Sequence, residues 1–305
     1  MKGYKAFDKN MVAYLFDGKR QYAEHTVFED NEIGLNTGLA FYVNPFELLD
    51  DYGFVNDRNG EFNIFAKTDA LSEATTNSNA RIYRTAKLEI GDRLSFDDFV
   101  KECVEFAANE ASTSGGITDK YVYVDDARGK TDISSTKDKV CIASDETSRP
   151  VSNSSDLACV VSTARYGCIS SSGECVKIGS TGYLSSVGSA GLDASICSSG
   201  DRSSIASAGD GTVIGNLGSS TCIASSGADA RVNSDGEDCV ICCAGDNSCA
   251  KAKRGSWITL FEWKWDKEKN RDVPVCGKTE YVDGERIKED TYYTLEDGEF
   301  IEVDA

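Results

Sequence analysis

Read every ninth residue from Ile133, the chain gives Ile133, Ile142, Val151, Val160, Ile169, Ile178, Val187, Ile196, Ile205, Ile214, Ile223, Val232 and Ile241. Every one is a β-branched apolar residue, and the phase never slips. Four places further on, Gly recurs nine times from Gly173 to Gly245, with Gly182, Gly200 and Gly218 among them. Two places after the apolar anchor stands Ser or Asn almost throughout. A fixed nine-residue period predicts a β-solenoid.

Residues two apart on a strand share a face. Each nonapeptide therefore offers an inward triad of small, large and small side chains: Ala194–Ile196–Ser198, Ser203–Ile205–Ser207, Thr221–Ile223–Ser225. The Gly after the strand reads as a positive-φ turn residue. Nine residues make half a coil and eighteen a full one. Residues 133–252 then give roughly six coils about 4.8 Å apart, a rod of about 30 Å. Inward Ser hydroxyls must bond along the stack or remain costly. The early repeats keep the anchors but place Glu146, Ser155 and Ala164 where later ones have Gly, as atypical terminal repeats do. The open ends of such a rod need covering.

The flanks supply two candidates. Residues 1–112 read as an α+β head, with strands at 2–7, 62–67 and 80–90. Asn44-Pro45 opens a short helix. Ser95 with Asp98 caps a second one, whose apolar face runs through Phe96, Phe99, Val100, Cys103 and Val104 and packs near the first coil. Residues 113–132 form a polar connector. Residues 253–305 read as an antiparallel β-meander cap, with hairpin turns at Asp283-Gly284 and Asp297-Gly298. Its aromatic stripe, Trp257 to Trp265, is expected to plug against neighbouring strands. The fold class is thus mainly β: a solenoid between an α+β head and a β cap.

Charge changes the picture of partners. The chain carries 51 acidic and 32 basic residues, a net charge of −19, spread over head, repeat and tail. That excludes phosphate neutralisation by a basic patch and leaves solubility, a basic partner or imitation of nucleic acid. No apolar run approaches the roughly 18 residues of a membrane span. The Met1-Lys2-Gly3-Tyr4 start reads as a folded segment without a signal peptide. The 12 cysteines then read as reduced thiols in a cytoplasm.

Candidate chemistry is sparse. Cys239-x-x-Cys242-Cys243 with Cys249 has zinc-like spacing, but the repeat phase turns Cys239 and Cys243 inward and Cys242 and Cys249 outward, so no metal is expected. Cys141 and Cys159, eighteen apart, stack on adjacent coils. Two residues after the Gly, only Asp193, Asp229 and Asp238 are acidic, too few for calcium between turns. Outward positions such as Asp132, Pro150, Lys177, Ser195, Val213 and Arg231 are mixed, which removes a Thr-array surface. The lone histidine, His25, with Tyr42 and Tyr52, is the one head-domain constellation for catalysis. Gly38–Tyr42 before Asp50-Asp51-Tyr52 faintly resembles a strand-then-helix fragment of ADP-ribosyltransferase-like folds. No phosphate loop is present, and no cofactor is expected.

The motifs Lys2-Gly3-Tyr4-Lys5-Ala6-Phe7, Gly38-Leu39-Ala40-Phe41-Tyr42 before Asn44-Pro45, Gly200-Asp201-Arg202-Ser203, Gly255-Ser256-Trp257 with Glu262-Trp263, and Asp290-Thr291-Tyr292-Tyr293-Thr294-Leu295 span almost the whole chain. Together they resemble a family of uncharacterised phage and prophage proteins with nonapeptide repeats. Family members often have His in the segment where this chain has Ala40. The resemblance implies a mobile-element origin and a host cytoplasm, and it supplies no activity. The expectation is a rigid protein-interaction module, in its sharper form an acidic decoy inhibiting a host defence or nucleic-acid-binding protein. A dimer is compatible with this. A transferase-like head and a virion component are the competing readings.

Overall fold

The computed structural model describes residues 1–31, 34, 37–76, 81–113, 121–124, 133–135, 140–145 and 150–304. Most of the connector, and Glu146, lie outside them. The repeat forms a β-solenoid of about six turns. Its strands fall into two parallel sheets, and each strand pairs with the one eighteen residues on, as in Ile178↔Ile196 and Ile205↔Ile223. The anchors Ile169, Ile178, Val187, Ile196, Ile205, Ile214 and Ile223 are all buried and form one apolar column. Each contributes roughly 1.5–3 kcal/mol. The small residues on either side of Ile196, Ile205 and Ile223 point inward as expected.

The hydroxyl stack is partly satisfied. Ser185 bonds Ser203 at 3.1 Å, Ser207 bonds Thr212 at 2.8 Å, and Asn216 Nδ2 donates to Ser234 at 2.9 Å. The hydroxyls of Ser144, Ser189, Ser198 and Ser225 are buried without a partner among the described residues.

The turn chemistry differs from the reading above. Gly182, Gly200 and Gly218 do not have positive φ. A Cβ on each would run into the carbonyl oxygen of the residue eighteen earlier, that of Ala164, Gly182 and Gly200 respectively. Glycine is required there by the approach of neighbouring coils. The left-handed residue is the one two places later: Cys175, Leu184, Asp193, Arg202, Ser220, Asp229, all with φ of 52–56°.

The head contains a four-stranded antiparallel sheet in the order Lys2–Phe7, Ile64–Ala70, Lys87–Leu94, Thr26–Glu29. Helix α1, Pro45–Tyr52, is capped by Asn44, whose side chain accepts from Phe46 N at 2.9 Å. Helix α2, Phe96–Thr113, starts on Ser95, whose Oγ accepts from Asp98 N at 3.1 Å and donates to Asp98 at 2.7 Å. The face of α2 buries Phe99, Cys103 and Val104 with Cys141, Ala143 and Val161 of the first coils.

The head goes further than the first coil and lies along the whole flank of one sheet. Gly179 and Gly215 sit where a Cβ would be 2.6 Å from the rings of Phe54 and Phe62. Arg231 and Asn233 donate to the carbonyls of Asp57 and Gly60 at 2.9 and 2.8 Å, and Lys251 pairs with Glu61 at 2.9 Å. We call this the covered sheet and the other the bare sheet.

The tail is two hairpins, one per sheet. Trp257–Asp266 and Arg271–Tyr281 continue the bare sheet, while Tyr292–Glu296 and Glu299–Val303 continue the covered one. Asp297 and Gly298, with φ of 48° and 75°, make the expected tight turn. Asp283-Gly284 instead lies in the loop crossing from one sheet to the other, and a turn at 267–270 closes the first hairpin. The aromatic stripe lies on the outer face, where Trp257 packs on Tyr281 of the neighbouring strand and Trp263 Nε1 donates to the Ala244 carbonyl at 2.9 Å. Ile258, Leu260 and Glu262 face inward, while Trp257 and Trp265 stay exposed. The inward column continues through Ile258, so the tryptophans fall in the opposite phase.

Candidate interaction surface

After each strand of the bare sheet the chain turns through two surface positions, five and six residues past the anchor. One of the two is acidic in all six coils: Asp156, Glu174, Asp193, Asp210, Asp229 and Asp246. Neither position holds a basic residue. Five of these side chains are exposed and Asp246 is half-buried. Among the described residues none of them joins an ion pair, whereas carboxylates elsewhere pair with Lys5, Lys67, Lys264 and Arg286.

Local structure accounts for the residue type. Asp193 and Asp229 occupy the left-handed position, which Asp tolerates better than most residues. Asp156 and Asp210, one place earlier, accept the backbone N–H of the next coil from Glu174 and Ala228 at 2.8 and 2.7 Å. The opposite edge is mixed in sign, with Arg165, Asp201, Arg202, Glu237 and Asp238. There the Arg165 guanidinium lies over Tyr183 at 5.6 Å.

The sequence reading missed this acidic row because it followed a single turn position. Acidity alternates between two positions, so only reading both together, eighteen residues at a time, reveals one charge per coil. The outward face misled in the same way. Lys177, Ser195, Val213 and Arg231 belong to the covered sheet and Pro150 to the bare one; Asp132 lies outside the described residues. Separated by sheet, the bare face has no charge between Pro150 and Phe261.

The catalytic constellation is not assembled. His25 precedes Thr26–Glu29, the edge strand farthest from Lys2–Phe7; its side chain is 69% exposed, with Nε2 3.4 Å from Asp92. Tyr42 attaches at the other edge, bridging Tyr4. It is buried, and its hydroxyl donates to Asp51 at 2.6 Å. Burial and the Asp51 charge push that phenol far above its ordinary range. Tyr52 packs edge-on to Tyr42 at 6.3 Å and lines a 480 Å³ cleft with Asp57 and Arg58 of the head and Lys177 and Asp193 of the solenoid.

Cys239 and Cys243 are buried and Cys242 and Cys249 partly exposed, on the faces the repeat phase assigns. Among the described residues no cluster of three or more His, Cys, Asp or Glu is placed to hold a metal. Cys141 and Cys159 are register partners on adjacent coils and are not joined as a disulfide. Burial pushes the thiols of Cys103, Cys159 and Cys197 well up, which makes them poor nucleophiles. No helix among the described residues is long and apolar enough to cross a membrane. No protein-family model, no curated protein and no solved structure matches this chain.

Proposed function

We propose that the chain is a non-enzymatic interaction module whose solenoid holds a straight row of carboxylates toward a basic protein partner. The observation that carries this is six coils with six carboxylates on one edge, none ion-paired among the described residues. Coil stacking spaces the charges by about 4.8 Å. Duplex DNA carries one charge per about 3.4 Å along each strand. Both are rigid linear arrays of negative charge, so a groove built to hold a phosphate backbone is the partner chemistry that fits. The resemblance to phage and prophage proteins gives this a setting: a decoy for a nucleic-acid-binding or defence protein in the host cytoplasm.

The test compares the immobilised chain with a version carrying D156N, E174Q, D193N, D210N, D229N and D246N, which keep an oxygen acceptor for the backbone bonds. Host lysate applied to both should leave basic nucleic-acid-binding proteins on the original only, released by salt and displaced by duplex DNA. An identical, salt-insensitive set on both columns would refute the reading.

A further inference from the structure

The acidic edge leaves the bare sheet unused. Three outward rows run along it. The row before the anchors is Cys168, Ser186, Ser204, Cys222, Val240 and Trp257; the row after them is Ser170, Gly188, Ala206, Ala224, Cys242 and Thr259; the third is Ser172, Ala190, Ala208, Ser226, Ala244 and Phe261. The second and third rows border a trough of 560 Å³. One end of the face is strongly apolar: Val240 and Trp257 are 48% and 47% exposed, and Trp257 leans on Tyr281 with ring centroids 5.1 Å apart.

We propose that this face binds a second copy of the same chain, the two solenoids lying face to face with their long axes parallel. Three observations select a second copy. The face repeats at the coil spacing of about 4.8 Å, and only a surface of equal pitch meets it in register at every coil. A chain of net charge −19 repels its own copies, and this uncharged face is where two can meet without opposing charges. The area is sufficient: six strands and three rows cover about 500 Å² per copy, or about 1,000 Å² for both, the lower bound of a specific interface.

Parallel axes follow from two further facts. A twofold axis running along the solenoid over the middle row puts the acidic edge of one copy beside the mixed edge of the other. The antiparallel alternative would align the two acidic rows. The same axis sets Trp257 against Phe261 and Val240 against Ala244 of the second copy, and it brings Cys242 opposite Cys242. Antiparallel pairing centred on the six coils that carry the acidic row, from Pro150 to Val240, would instead bring Cys168 opposite Cys222.

Sedimentation equilibrium over a concentration series should give the mass of two chains. A206E, at an exposed position on the axis, should raise the dissociation constant by about a hundredfold or more while leaving the circular dichroism unchanged. A short bismaleimide should link the dimer through Cys242, so that C242S abolishes the product and C168S and C222S do not. A monomer at every concentration, a dimer indifferent to A206E, or cross-linking that depends on Cys168 and Cys222 would each overturn the proposal. The six-amide edge variant should still dimerise, so failure of the partner reading and failure of this one are separable.

Discussion

At the scale of single residues, the repeat divides two jobs between positions that look alike in sequence. The glycine ladder serves coil-to-coil approach, and the left-handed turn falls two places later on whatever residue stands there. Opposite outcomes follow at neighbouring positions. Gly200→Ala puts a methyl group against the Gly182 carbonyl and should destabilise by about 3 kcal/mol, since the coils cannot part locally without breaking their ladder. Leu184, at φ 56° and 39% exposed, holds a strained conformation while burying little. Leu184→Asn should stabilise by about 1 kcal/mol. Urea midpoints of the two variants against the parent chain check both signs. A positive-φ origin for the glycines would instead make Gly200→Asn harmless.

At the scale of elements, the period was legible because one physical demand, a single branched aliphatic per half-coil, repeats without exception. The capped helices were legible for the same reason, since Asn44-Pro45 and Ser95–Asp98 each satisfy local backbone donors. The tail was less so. Its strands alternate as strands should, but which face turns inward is decided by the coil beneath, where Ile258 pairs with Ile241. The tryptophans, in the opposite phase, therefore meet neighbouring strands from the outer face. The split of the tail between two sheets was also hidden, because a crossing loop and a hairpin can carry the same Asp-Gly.

The hairpins close the C-terminal end of the rod. They turn parallel edges antiparallel and leave strands bearing Pro274 and many charges outermost, features that discourage edge-to-edge growth. A chain ending before Tyr292 bares the Cys249–Ala252 edge and loses buried Tyr293 and Leu295. It should scatter light as growing assemblies at concentrations where the full chain does not.

At the scale of the molecule, the solenoid separates its surfaces by kind: one sheet under the head, one bare and uncharged, one edge acidic, one edge mixed. The acidic edge works against folding, because unpaired carboxylates on adjacent coils repel and the repulsion relaxes when the chain opens. Screening weakens it, with a Debye length of about 8 Å near physiological salt and about 30 Å at 0.01 M. The melting temperature of the natural chain should therefore rise with added sodium chloride at neutral pH. The six-amide variant should melt higher at low salt and gain less than the natural chain as salt is added. Were the row instead a stabilising feature of the turns, its backbone acceptors outweighing repulsion, amide replacement would lower the melting temperature at every ionic strength. A surface kept at the expense of stability is what a binding role requires, so thermal scans at two salt concentrations bear on function before any partner is in hand.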